Sequence, residues 1–329
     1  MLETILQRQD KLHTPLYVLC PIINASRSRA RWKLFDDFRR HCSNAGAVLI
    51  TIEVSFGDRD FVVTKADNPL DIQLRTWHEL WLKERAINVG TTHLTRMFPD
   101  WEKMAWCDGD FIWVRPDWAN EILHLLEHWP VIQCFSELTN VTVNYEIKSQ
   151  LRSLMSIQFE HPGRPPGNYY EPGGQKFGSP GLCWAARREA IEQMGGLLDV
   201  CALGAGDWYQ SAALLGTLDD AIKFRNDLSP AFVEKMLKYQ EHLRRGRWQE
   251  RSIVGNIGLM RSLCIHFWHG SRANRQYNTR GQILMRHGFD PDRDLKPGAN
   301  GLYQLTDRSP GLRRDISRYF ASLDSDALS

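Results

Sequence analysis

The stretch WCDGDF, residues 106–111, puts two carboxylates one residue apart where an apolar run ends. Aspartate forms strands poorly and is costly to bury unpaired. A strand that finishes on Asp108 and Asp110 therefore calls for something to compensate both charges. With a side-chain period of two, the pair points one way and Gly109 the other. Two same-side carboxylates suit a hard divalent cation such as Mg²⁺ or Mn²⁺. Such an ion clamps a diphosphate and neutralises charge on a departing phosphate. An aspartate pair in a turn or at a helix N-cap has the same spacing, so the elements around it must decide.

Those elements read as alternating strands and helices. PLYVLCPII is a short apolar run with β-branched residues, a buried strand. In the segment after it, Asn24 or Ser26 can cap a helix, Trp32, Phe35 and Phe38 recur at helical spacing, and Gly46 can end it. AVLITIEVSF is the next strand, which makes a β-α-β unit with a parallel pair. Leu74, Trp77, Trp81 and Leu82 follow a helical period, and WEKMAWCDGDF is a third core strand. A helix over PDWANEILHLLEHWP and a strand over VIQCFSEL follow. From Thr139 to Pro180 the pattern dissolves into a long Pro-, Gly- and Tyr-rich loop of the kind that covers sites. LCWAARREAIEQMGG is then a strand and helix, DWYQSAALLGTL and PAFVEKMLKYQEHLRRG are helices, and LCIHFWHG is an apolar strand ending in histidine. The fold class is α/β, with a mostly parallel sheet flanked by helices and a C-terminal extension. In an open α/β sheet, ligands gather at the carboxyl ends of the strands, where the aspartate pair stands.

The 329 residues, 43% hydrophobic and 24% charged, have the composition of an ordinary globular protein. No apolar run approaches the roughly 18 residues of a membrane span, and the start lacks a signal-peptide core. A cytoplasmic protein without membrane insertion is the expectation. Seven widely spaced cysteines with no C-x-x-C pair argue for reduced, buried thiols. The net charge is +2, but from Glu241 onward 15 Arg/Lys face 9 Asp/Glu. That excess is either a solvated surface or a contact for phosphates.

Four stretches in order resemble the GT-A glycosyltransferases, close to the family 2-like enzymes and their phage-borne, uncharacterised branch. CPIINASRSRARW is similar to the opening strand and nucleotide loop, LWLKERAINVG to a K-x-x-x-(I/L)-N-x-G segment, and AWCDGDF to the D-x-D motif. GLCWAARREAIEQMGGLLD with GAGDWYQSAAL looks like the acceptor-side strand, helix and acidic helix start. The likeness spans roughly residues 15–215. It implies a catalytic core over residues 12–235, with residues 236–329 completing the site and contacting the acceptor.

The resemblance implies a Rossmann-like GT-A fold and transfer of a sugar from a nucleotide-sugar, a UDP-sugar foremost, to an acceptor hydroxyl. Asp207 would be the base of an inverting reaction, although the family often shows Glu-Asp where this chain has Gly206-Asp207. A helix N-cap would put the same residue there, and Asp199 is the runner-up base. The donor would be lined by Pro21, Ile22, Asn24, Glu53, Lys83, Asn88, Asp108 and Gly109, with Arg272 and Arg275 on its diphosphate and Arg27 and Arg31 within reach of phosphate. The metal would be held by Asp108, Asp110 and His269; His266 and His269 should face opposite ways, and His269 stands beside Gly270. A histidine in an apolar strand is also a common hydrogen-bonded core residue. The acceptor is open: a hydroxylated DNA base, a surface glycan or a host protein. Two rivals from other classes remain, a metal-dependent nucleotidyltransferase and a non-enzymatic nucleic-acid-binding module. The first lacks its usual glycine in PIINASRSRAR, and the second leaves the aspartates unexplained.

Overall fold

A computed structural model describes residues 14–25, 29–161, 178–223, 225–269, 276 and 279–323. The strands are β1 Tyr17–Ile23, β2 Val48–Phe56, β3 Asp71–Thr76, β4 Lys103–Cys107, β5 Phe111–Trp113, β6 Val131–Gln133, β7 Glu137–Val141, β8 Ile147–Arg152, β9 Cys183–Arg187, β10 Arg247–Trp248, β11 Arg251–Ser252, β12 Ile257–Leu259, β13 Leu263–His266, β14 Leu295–Pro297 and β15 Tyr303–Leu305. The helices are α1 Arg29–Asn44, α2 Lys83–Met97, α3 Trp118–Leu125, α4 Leu154–Glu160, α5 Arg188–Met194, α6 Gly206–Leu215, α7 Leu218–Lys223, α8 Pro230–Arg245, α9 Gly281–Arg286, α10 Pro291–Asp294 and α11 Pro310–Ala321.

The central sheet has the order β12-β6-β9-β4-β1-β2-β3. All its strands run one way except β9, which is antiparallel to both neighbours. The protein is thus mixed α/β, with a mostly parallel sheet flanked by helices. β1 shows why it is central. Tyr17, Leu19 and Ile23 enter one core with Ile87 of α2, Trp208 of α6 and Met236 of α8. Val18, Cys20 and Ile22 enter a second core with Phe35 and Phe38 of α1, Phe111 of β5 and Trp118 of α3. An apolar run buried on both faces is what a central parallel strand requires.

A second sheet, β5-β13-β7-β8, lies on the α1 side. β13 is antiparallel to β5 and parallel to β7, in a register that places His266 beside both Phe111 and Asn140. Residues beyond 236 therefore contribute β12 to the central sheet and β13 to the second one.

Two expectations are corrected here. The segment from Asp71 to Thr76 is a strand, not the start of a helix, because Ile72, Leu74 and Thr76 alternate with half-exposed residues; the helix begins at Lys83. VIQCFSEL is two strands that part at Cys134, one for each sheet. Within the expected loop of residues 139–180, β8 and α4 are ordered elements, and residues 162–177 lie outside the described residues. All seven cysteines are buried and free. Among the described residues no helix is long and apolar enough to cross a membrane.

Candidate active site and metal centre

β4 ends at Cys107, one residue before the aspartates. The backbone then crosses from one sheet to the other: the Asp108 amide donates to Leu182 O at 2.9 Å, and the Phe267 amide donates to Asp110 O at 2.9 Å. Asp108-Gly109-Asp110 is a bend, so the same-side geometry expected of a strand does not hold. Gly109 is needed at the crossing. A Cβ there would lie 2.9 Å from Phe35 and 3.0 Å from the Cys20 sulfur, so this position faces core rather than ligand.

The two carboxylates part company. Asp108 Oδ1 accepts from Lys83 Nζ at 2.6 Å. Asp110 meets both histidines: its Oδ2 is 3.1 Å from His269 Nε2 and its Oδ1 is 3.5 Å from His266 Nε2. The ligand atoms of Asp110, His266 and His269 all lie within 4.8 Å of one another. Asp108 is not in that group. The histidines do not face opposite ways because β13 stops at His266, and strand alternation ends with it.

The imidazoles are oriented from behind. His266 Nδ1 donates to Asn140 Oδ1 at 2.9 Å, which fixes the ring with Nε2 toward Asp110 and within 3.2 Å of His269 Nε2. His269 Nδ1 accepts from Arg31 Nη2 at 3.3 Å, since a guanidinium only donates. That leaves the His269 proton on Nε2, facing Asp110. An ion taken there would displace this proton to Nδ1, which could then no longer accept from Arg31. His269, His266 and Arg31 hold the Asp110 carboxyl well below its ordinary range, against burial, which alone would raise it. Asp110 Oδ1 is nonetheless a buried oxygen with no hydrogen-bond partner.

A second charged group adjoins the first. Lys83 opens α2, and Asp108, Asp207 and Glu84 together raise its pKa despite a burial that lowers it. Glu84 is 6% exposed. Its carboxyl is pushed up to about 7 by burial, with Lys83 opposing and Asp207 adding to the rise. Gly206 lies against that carboxyl: a Cβ there would sit 2.4 Å from its carbon. Asp207 stands in the first turn of α6, one residue past its start, so the N-cap is Ala205. Its Oδ1 accepts from the Trp208 amide at 2.8 Å. Its Oδ2 faces Gly181, where a Cβ would come within 2.4 Å. Two glycines thus make room for two carboxyl groups beside one lysine.

Other expected residues have different partners. Glu53 is buried, and its oxygens accept from the amides of Val62, Val63 and Thr64 and from the Thr64 hydroxyl. It braces that loop instead of presenting a carboxylate to a nucleoside. Asn88 donates to Leu197 O and Asp199 Oδ2 and accepts from the Leu197 amide, pinning the turn after α5. Asp199 also takes Arg85 at 3.0 Å, a structural pairing. Pro21 and Ile22 lie buried within β1, and Asn24 stands just beyond its end. Arg27, Arg272 and Arg275 lie outside the described residues. Sequence reasoning missed Glu84 and set His266 aside.

No protein-family model matches the chain, and no curated protein matches it significantly. Among solved structures it is similar to a mutant Drosophila β-1,4-galactosyltransferase 7 in complex with manganese, UDP-Gal and xylobiose, at 15% identity over 59% of this chain, with a TM-score of 0.28. The chain spans 58% of that one. It is also similar to a glycosyltransferase involved in glycosylating the major capsid of PBCV-1, at 11% identity over 79% of this chain and 97% of the other, TM-score 0.32. A hypothetical transferase from Thermus thermophilus is similar at 11% identity over 76% and 93% of the two chains, TM-score 0.30. At these scores the likenesses carry no argument, and function must rest on the site itself.

Proposed function

We propose that this chain is a metal-dependent glycosyltransferase that moves a sugar from a nucleoside diphosphate donor, a UDP-sugar foremost, to an acceptor hydroxyl. One observation carries the reading. Residues 156 positions apart in the chain, Asp110 and His266, join His269 beside a strand end, and the group keeps a buried carboxylate oxygen with no hydrogen bond, its nearest neighbour being His266 Nε2 at 3.5 Å. One carboxylate and two imidazoles are a donor set for Mn²⁺ and its neighbours, and the orphaned oxygen is the atom such an ion would satisfy. When bound, the ion would neutralise charge on the diphosphate as the sugar leaves.

The chain's own residues supply the rest. Lys83 is a cation among Asp108, Asp207 and Glu84, positioned to meet a phosphate oxygen once Asp108 shares it. Asp108 holds Lys83 in the absence of donor and can turn to a ribose hydroxyl in its presence. Asp207 is the base we assign: half-buried, with one oxygen toward Gly181, it accepts the acceptor hydroxyl's proton in an inverting displacement. A general base contributes roughly 10²-fold or more. Asp207→Asn keeps an oxygen for the Trp208 amide but loses the basic site. Turnover should therefore fall by about that factor in Asn and Ala alike, while a purely structural Asp207 would tolerate Asn.

The direct experiment incubates the protein and Mn²⁺ with a panel of nucleotide sugars and follows free nucleoside diphosphate. Release that stops in excess EDTA and in Asp110→Asn is the expected result. Full release in EDTA would overturn the reading, and pyrophosphate formed from a nucleoside triphosphate plus sugar phosphate would favour a nucleotidyltransferase. The basic C-terminal excess suits a hydroxylated DNA base as acceptor, whereas the surroundings of the site favour another.

A further inference from the structure

The β7–β8 hairpin carries apolar residues where a turn ordinarily carries polar ones. Val143, Tyr145 and Ile147 are 48%, 68% and 68% exposed. The turn that bears them is tightly bonded. The Thr142 amide donates to Glu146 O at 2.8 Å and the Tyr145 amide to Thr142 O at 3.0 Å. The Thr142 hydroxyl accepts from the amides of Asn144 and Glu146. Tyr145 has φ +63°, a conformation that suits Gly or Asn and costs a bulky residue about 1 kcal/mol. An edge contact with Phe267 returns part of that cost, but a ring left 68% exposed in that strained place points to a use.

The position says which use. Tyr145 meets the Phe267 ring edge-on at 6.1 Å, and Lys148 Nζ lies 3.9 Å from the centre of the Trp268 ring. Phe267 and Trp268 are the two residues between His266 and His269, and β7 itself supplies Asn140 to His266. The hairpin tip is therefore fastened to the segment that carries both histidines. We propose that this tip is the acceptor platform and that the acceptor it takes is a neutral oligosaccharide; the proposal rests on the function given above.

The chemistry is that of an aromatic face, whose negative π-surface attracts the polarised C–H bonds on one side of a sugar ring while the hydroxyls stay wet at the edges. Charge decides against a polyanion. Along the hairpin the described ionisable groups are Glu146 and Lys148 near the tip, the latter over Trp268, and Glu137 and Arg152 at the far end, where Arg152 is paired with Glu160. A nucleic acid calls for a basic groove beside its stacking rings, and these groups balance.

The test is saturation-transfer NMR on the full chain with cellotetraose, xylotetraose and maltotetraose, and with a single-stranded DNA dodecamer as the alternative. At least one tetraose should receive saturation. Tyr145→Gly removes the ring and suits the backbone, so its Tm should equal or exceed that of the parent while tetraose affinity falls roughly tenfold. Any of four results would overturn the proposal: no tetraose binding, binding undiminished in Tyr145→Gly, DNA as the ligand lost in that variant, or a dimer that the variant dissolves. A lower Tm would also count against it, since Tyr145 would then be structural. Donor cleavage by the unaltered protein separates this idea from the one beneath it. Cleavage without tetraose binding removes the platform alone; tetraose binding at Tyr145 without cleavage of any donor keeps a sugar site and removes the transfer reading.

Discussion

Asp108 and Asp110 are separated by one glycine, yet Asp110 meets two imidazoles and keeps an oxygen without a hydrogen bond, whereas Asp108 meets the ammonium of Lys83. The difference follows from the sheets. At Asp110 the chain has already crossed to β5, which pairs with β13 and so reaches the histidines. At Asp108 it still hangs from the central sheet, beside the start of α2. An imidazole can give up a ring proton to an added cation, while the ammonium already fills that role. The turn thus divides its labour: one carboxylate for a metal, the other in a group of three carboxyls around one lysine. Each half of that contrast can be broken separately.

The largest effect is expected at Glu84, a buried carboxyl. Its pKa is about 7 in the folded protein against 4.5 as the ordinary value. The folded state therefore binds the proton more tightly, and stability falls as pH rises from about 4.5 to about 7, above which the loss is complete. A shift of that size corresponds to about 3 kcal/mol. Urea unfolding of Glu84→Gln should lack this part of the decline. A decline identical to that of the parent would show that Glu84 is ordinary.

Next comes Lys83→Met, which leaves Asp108, Glu84 and Asp207 without their shared cation. Breaking a buried pair costs roughly 3–5 kcal/mol, but Asp108 is a third exposed, so about 2 kcal/mol is expected near pH 8. The deficit should shrink as pH falls toward 7, because without Lys83 the Glu84 carboxyl takes up its proton at a higher pH than in the parent. A deficit independent of pH would mean that the three carboxyls do not share the lysine.

The smallest concerns Asn140, which orients His266 from β7. Loss of such a supporting hydrogen bond typically weakens a metal site 10–100-fold. Calorimetry of Mn²⁺ binding to Asn140→Leu should fall at the lower end of that range, because β13 still fixes the backbone. An unchanged affinity would leave His266 outside the site.

Much of this was legible in the sequence where burial alone sets the pattern. β1, α1 and β2 follow from apolar runs and from Phe35 and Phe38 at helical spacing. Residues 71–82 misled because Leu74, Trp77, Trp81 and Leu82 mimic a helix, while tertiary pairing with β2 makes the first half a strand. The aspartates were found, but not their separation. That depends on pairing residue 111 with residue 266, which leaves no trace in local periodicity. Glu84 carried no signal either, since an acidic residue in a first helical turn is ordinary. Glu53 and Asn88 were sensible polar choices whose partners lie within the fold, at the 62–64 loop and the turn after α5.

The claim that Asp110 and both histidines, without Asp108, form a divalent-metal site is tested most directly by titrating Mn²⁺ and following the free ion by electron paramagnetic resonance. One site is expected in the parent protein, retained in Asp108→Asn and weakened at least 100-fold in Asp110→Asn and in His266→Ala. Binding that survives His266→Ala, or that is lost in Asp108→Asn, would contradict it.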